Sequence, residues 1–100
     1  MARSGSVEIP APDGATVELE WVWEMEHMRW RIRLRERNSE WHRVMAFPAT
    51  WDAEEIFVRF WGADMPGGRC SRGDIAAAHR VFVAATGQQT EQELEADGAA

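Results

Sequence analysis

From Met28 to Arg37 the chain reads Met-Arg-Trp-Arg-Ile-Arg-Leu-Arg-Glu-Arg, with an arginine at every odd position from Arg29 onward. This alternation constrains the fold more than any other feature of the sequence. A period of two sets Met28, Trp30, Ile32 and Leu34 on one face of a strand and five guanidinium groups on the other, whereas a helix would spread the arginines around its whole circumference. Only Glu36 interrupts the apolar series.

A matching segment lies just upstream. Val17, Leu19, Trp21, Trp23 and Met25 alternate with Glu18, Glu20, Val22 and Glu24, so the two segments complement each other as an antiparallel hairpin. A two-residue turn at His27-Met28 pairs Glu26 with Arg29, Glu24 with Arg31, Glu20 with Arg35 and Glu18 with Arg37. On the other face it pairs Met25 with Trp30, Trp23 with Ile32 and Trp21 with Leu34, which puts Trp23 and Trp30 in the hairpin core. A slip of one residue would set apolar side chains opposite charges, so pattern and charge agree on parity. His-Met is a weak turn sequence, and a four-residue loop keeps the same pairing. Exposed ion pairs of this kind select a register more than they supply stability.

The remaining elements follow from punctuation. Asn38-Ser39 is a turn, Trp41 to Phe47 reads as a third strand, and Pro48 ends it. Thr50 then caps a helix with Asp52, Glu54 and Glu55 in its first turn and an apolar stripe of Ala53, Ile56, Phe57, Phe60 and Trp61; residues 56–61 also have the propensity of a fourth strand. Ser71 and Asp74 form a capping box for a second helix, whose inward face is Ile75, Ala78, His79, Phe82 and Val83 and whose stop is Gly87. Residues 1–15 mix Ser, Gly and Pro and read as a flexible arm with room for one edge strand. Residues 16–87 form the domain, and residues 88–100, with four acids and no base, read as a disordered tail. The expected fold class is α+β, a three-stranded or four-stranded antiparallel meander packed against two C-terminal helices.

Charge narrows the function. The formal charge of −6 resides mostly in residues 88–100, so the folded body is close to neutral and produces neither a strong nucleic-acid field nor an acidic duplex-like surface. All 11 bases are arginine and the chain is rich in alanine, which points to a GC-rich bacterial or phage genome. The single Cys70 forms no intramolecular disulfide, no apolar run spans a bilayer, and the N-terminus lacks an apolar signal core; a cytoplasmic protein is expected.

No chemical signature stands out. His27, His42, His79 and Cys70 lack metal-ligand spacing, so no metal or other cofactor is expected, and His79 reads as a histidine of the helix face. The Gly67-Gly68-Arg69 loop lacks the lysine and hydroxyl of a phosphate loop, and Arg72-Gly73-Asp74 reads as a chance tripeptide in a helix cap. Each hairpin carboxylate faces an arginine, which holds it ionised and unsuited to general acid work.

Six tryptophans in 100 residues exceed what one small core absorbs. Tryptophan beside arginine is the composition of protein interfaces, and Trp41, Trp51 and Arg43 are the expected contact residues. The expected function is a small non-enzymatic protein-binding module, a regulator, inhibitor or assembly factor, with a homodimer as one form of association. The alternative is a nucleic-acid binder using Arg29, Arg31, Arg33 and Arg35. The layout of a meander followed by a packing helix resembles the small DNA-binding domains of phage integrase arms and plant transcription factors, a likeness of architecture that implies a sheet in the major groove. The acidic partner strand on the same face works against that alternative.

Overall fold

The structure is a computed structural model that describes residues 4–11, 15–37, 42–62 and 70–90, with the side chains of residues 42, 61 and 62 outside the description. Four strands, β1 (Ser4–Ile9), β2 (Thr16–Glu24), β3 (Arg29–Arg37) and β4 (His42–Pro48), pair in sequence order as an open antiparallel sheet. Two helices follow, α1 (Ala53–Gly62) and α2 (Arg72–Thr86), and the fold is α+β. The fourth strand is N-terminal, not residues 56–61, which are helical. No helix among the described residues is long and apolar enough to cross a membrane.

Parity of the hairpin is as the alternation requires, but the register differs by two residues. Glu24 stands opposite Arg29, Trp23 opposite Trp30, Trp21 opposite Ile32, Glu20 opposite Arg33 and Glu18 opposite Arg35. The turn explains the shift. A two-residue turn at His27-Met28 needs positive φ at both residues (type I′) or a glycine-favoured conformation at His27 (type II′), whereas the four-residue loop 25–28 has positive φ only at Met28, at 52°. The loop closes with the His27 N–H donating to the Glu24 carbonyl at 3.2 Å, and Glu26 drops out of the ladder. A side chain in this left-handed conformation is costly and Met28 is 70% exposed, so Met28→Gly is expected to raise stability by about 0.5–1 kcal/mol in urea denaturation.

One sheet face carries the core. Ile9, Val17, Leu19, Trp21, Ile32, Leu34 and Phe47 point toward the helices and meet Ile56 and Phe60 of α1 and Ile75, Ala78 and Phe82 of α2. Trp21 is the keystone of this layer. Its indole packs 5.8 Å from the Phe82 ring and lies over Gly5, its partner on β1, where an added Cβ would come within 2.4 Å of the ring. The core thus reaches into the N-terminal segment, through Ile9, and past Gly87 to the buried Thr90. Trp23 and Trp30, expected in the core, lie one pleat further toward the turn, half-buried and edge-to-face at 5.3 Å.

The helix ends are local devices. The Ser71 Oγ accepts from the Asp74 N–H at 3.1 Å and donates to the Asp74 carboxylate at 2.8 Å, while Gly87, with φ 73°, donates its N–H to the Val83 carbonyl at 2.7 Å. At α1 the cap is Asp52, not Thr50. The Trp51 N–H donates to the Pro48 carbonyl, and this turn delays the helix until the Asp52 carboxylate accepts from the Glu55 N–H at 2.8 Å. Arg72 joins the helices through an ion pair to Glu54 at 2.7 Å and lies over the Phe57 ring.

Candidate functional site: the open face of the sheet

The opposite face of the sheet collects the charges. Down β3 it presents Arg29, Arg31, Arg33, Arg35 and Arg37; beside them β2 presents Glu18, Glu20, Val22 and Glu24. Beyond β2, β1 adds Ser4, Ser6 and Glu8, and on the other flank β4 adds Val44, Ala46 and Pro48. Period-two geometry alone delivers this layout, since each strand's remaining residues are committed to the core.

Two carboxylates organise the arginines. Glu24 lies between Arg29, at 2.9 Å, and Arg31, at 3.0 Å, and Glu20 lies between Arg35, at 3.4 Å, and Arg33, at 3.6 Å. Each thus joins its direct register partner to a diagonal neighbour, so the Glu24–Arg31 and Glu20–Arg35 pairs expected from the sequence form despite the shifted register. The hydrogen bonds from Arg29 and then Arg31 hold the Glu24 carboxyl below its ordinary range, and it is ionised at neutral pH. The guanidinium groups stand above the carboxylates: Arg33 and Arg35 are 42% and 44% exposed against 21% for Glu20. At one end of the face a cavity of about 310 Å³ lies among Thr16, Glu18, Arg35 and Arg37.

A second concavity, of about 580 Å³, lies beside the hairpin turn and the C-terminal end of α2, with Trp23, Trp30, Met28 and Gly87 among its walls. Its polar groups are engaged within the chain. Arg29 and Arg31 turn to Glu24, and the Gln88 amide donates to the Gln89 carbonyl at 2.9 Å.

Of the residues expected to form an interface, Trp51 and Arg43 are among the described residues. Trp41 lies outside the described residues. Trp51 is half-buried, packed against the Phe47 ring at 5.5 Å with the Arg59 guanidinium 5.7 Å from its own ring centre. Arg43 sits on the helix side of β4, directly across from Glu36. Glu36 is fully buried, because the pleat that turns the neighbouring arginines outward turns this residue inward.

Cys70 is buried, and its thiol is pushed up to about 12, chiefly by burial and then by the charges of Asp74 and Glu36. At pH 8 the native thiol is therefore protonated and shielded. Thiol-specific alkylation of the native protein is expected to proceed only as fast as the chain opens, and to go to completion at once in denaturant; fast native-state labelling would contradict this burial. Among the described residues no group of three or more His, Cys, Asp or Glu side chains is placed to hold a metal ion. The Gly67–Arg69 loop lies outside the described residues, and Arg72, Gly73 and Asp74 form the first turn of α2.

Compared with family models, curated proteins and solved structures, the chain matches none.

Proposed function

We propose that this chain is a small non-enzymatic protein-binding module of a bacterial or phage cytoplasm, a regulator, inhibitor or assembly factor, and that its working surface is the open face of the sheet. One observation carries the reading: Glu20 and Glu24 are each held between two arginines of β3. The face therefore carries five arginines against Glu8, Glu18, Glu20 and Glu24, close to balance. Such a ladder offers fixed, charge-assisted contacts to the carboxylates and carbonyls of another protein without the excess positive field that draws phosphate. Glu24, held below its ordinary range, is a weak base, and the Cys70 thiol, held protonated at neutral pH, is a poor nucleophile.

The second reading, a nucleic-acid binder, draws on the exposed column of Arg29, Arg31, Arg33 and Arg35. Affinity capture from the native host separates the two. Wild type and the Arg33→Glu, Arg35→Glu double variant are immobilised in parallel, and eluates are assayed for protein and nucleic acid with and without nuclease. The expected result is a defined protein retained by wild type, resistant to nuclease and lost with the variant. Recovery dominated by nucleic acid, and falling steeply between about 50 and 200 mM salt, would overturn the proposal.

A further inference from the structure

We infer that the partner this face fits is a second copy of the same chain, docked face to face about a two-fold axis that runs along the strands between β2 and β3. The inference rests on the reading of the open face as a protein-binding surface. It follows from the way charge is sorted across the two central strands, with acids on β2 and bases on β3, flanked by Ser4, Ser6 and Glu8 on β1 and by Val44, Ala46 and Pro48 on β4.

A closed dimer uses the same patch twice, so that patch must complement itself. The two limiting in-plane axes give opposite results. An axis across the strands keeps each strand over its own counterpart and stacks arginine on arginine. An axis along the strands exchanges left and right, setting β3 of each copy over β2 of the other at the same level. Because Arg29 is level with Glu24, Arg33 with Glu20 and Arg35 with Glu18, these three arginines each then meet a carboxylate of the second copy, while Arg31 meets Val22 and Arg37 meets Thr16. The flanks also fit. Ala46 is level with Ser6 and Pro48 with Ser4, so these positions bring small side chains together, while Glu8 is level with Val44.

The arginines are placed to reach across. In the single chain four of them share two carboxylates and are more exposed than those carboxylates, and each guanidinium has five N–H donors to supply. Four strands about 4.8 Å apart and six to nine residues long, at about 3.3 Å each, make a face of roughly 500 Å² in projection; with side-chain relief two copies would bury on the order of 1,200 Å², the lower end of the range for specific complexes. The dimer is accordingly weak, reversible and salt-sensitive.

Sedimentation equilibrium of the full chain tests the inference. The wild-type dimer is expected to weaken by about tenfold or more as salt rises from about 50 to 500 mM, because screening shortens the reach of the opposed charges. Two variants sharpen the result: Glu18→Arg with Glu20→Arg gives a basic face, and Arg33→Glu with Arg35→Glu an acidic one. Each alone is expected to sediment as a monomer, and an equimolar mixture to recover the dimer mass. Should a variant fail to keep the wild-type circular dichroism spectrum, the wild-type salt titration decides alone. A dimer indifferent to salt, or one that persists in both variants separately, would place the contact elsewhere and overturn the inference. A wild type that stays monomeric at about millimolar concentration and low salt would overturn it too. In that case face-dependent capture of a different host protein would leave the binding-module reading standing, and absence of such capture would remove both.

Discussion

Trp21→Ala is expected to destabilise the fold by about 3–5 kcal/mol, a large share of the total for a domain of this size. The indole is 6% exposed and joins three elements, lying over Gly5 of β1, extending from β2 and packing against Phe82 of α2. Its removal leaves a cavity where the N-terminal strand, the hairpin and the longer helix converge, so the loss combines transfer free energy with contacts that the rigid surroundings cannot remake. Trp23→Ala and Trp30→Ala are expected to cost less, since both rings are half-buried at the turn end of the sheet. Urea denaturation followed by circular dichroism ranks the three. Equal or larger losses at Trp23 and Trp30 would show that the core is centred nearer the turn.

Gly5→Val should be the next most damaging change, at about 1–3 kcal/mol, and for the opposite reason. The site is already filled by its neighbour: a Cβ on residue 5 would stand 2.4 Å from Cζ2 and 2.6 Å from Cε2 of Trp21. The obstruction is a rigid bicyclic ring, not the end of a flexible chain, so relief requires Trp21 to leave its place against Phe82 or β1 to move off the sheet. Near-ultraviolet circular dichroism reports the first and hydrogen exchange of the β1 amides the second. Combining Gly5→Val with Trp21→Ala should cost less than the sum of the separate changes, because the added methyls enter the space the indole vacates. Strict additivity would mean that the two residues do not share that space.

These two residues also mark where sequence reasoning ends. The Arg29–Arg37 alternation determines which side of β3 faces the core, because the pleat leaves no choice, and α2 is readable in full, since its caps involve residues three or four positions apart. What escapes is information held between elements. The register of the hairpin turns on the backbone strain of a loop, and both registers satisfy the charge pattern because a carboxylate reaches its diagonal as well as its direct partner. The depth of each tryptophan depends on how far the helices extend over the sheet, which no period-two pattern encodes. The edge strand Ser4–Ile9 is obscured by its Ser and Gly content, although the Gly5 that lowers its strand propensity is the residue that makes room for Trp21.

For the candidate site the same division holds. The charged face is legible as parity, and the same parity places Arg43 with Met45 and Phe47 on the helix side of β4. Glu36 carried the available signal: a carboxylate at an inward position of an otherwise apolar series implies a polar neighbour across the strand, and Arg43 is that neighbour in the register.

We propose that association runs through the arginine and glutamate ladder and not through Trp51. The most direct test compares Arg33→Glu with Arg35→Glu against Trp51→Ala, each verified as folded, for retention of partner protein, a second copy included. The account predicts that the face variant loses binding while Trp51→Ala keeps it, since Trp51 is occupied with Phe47 and Arg59. Binding that survives the double charge reversal and disappears with Trp51→Ala would contradict it.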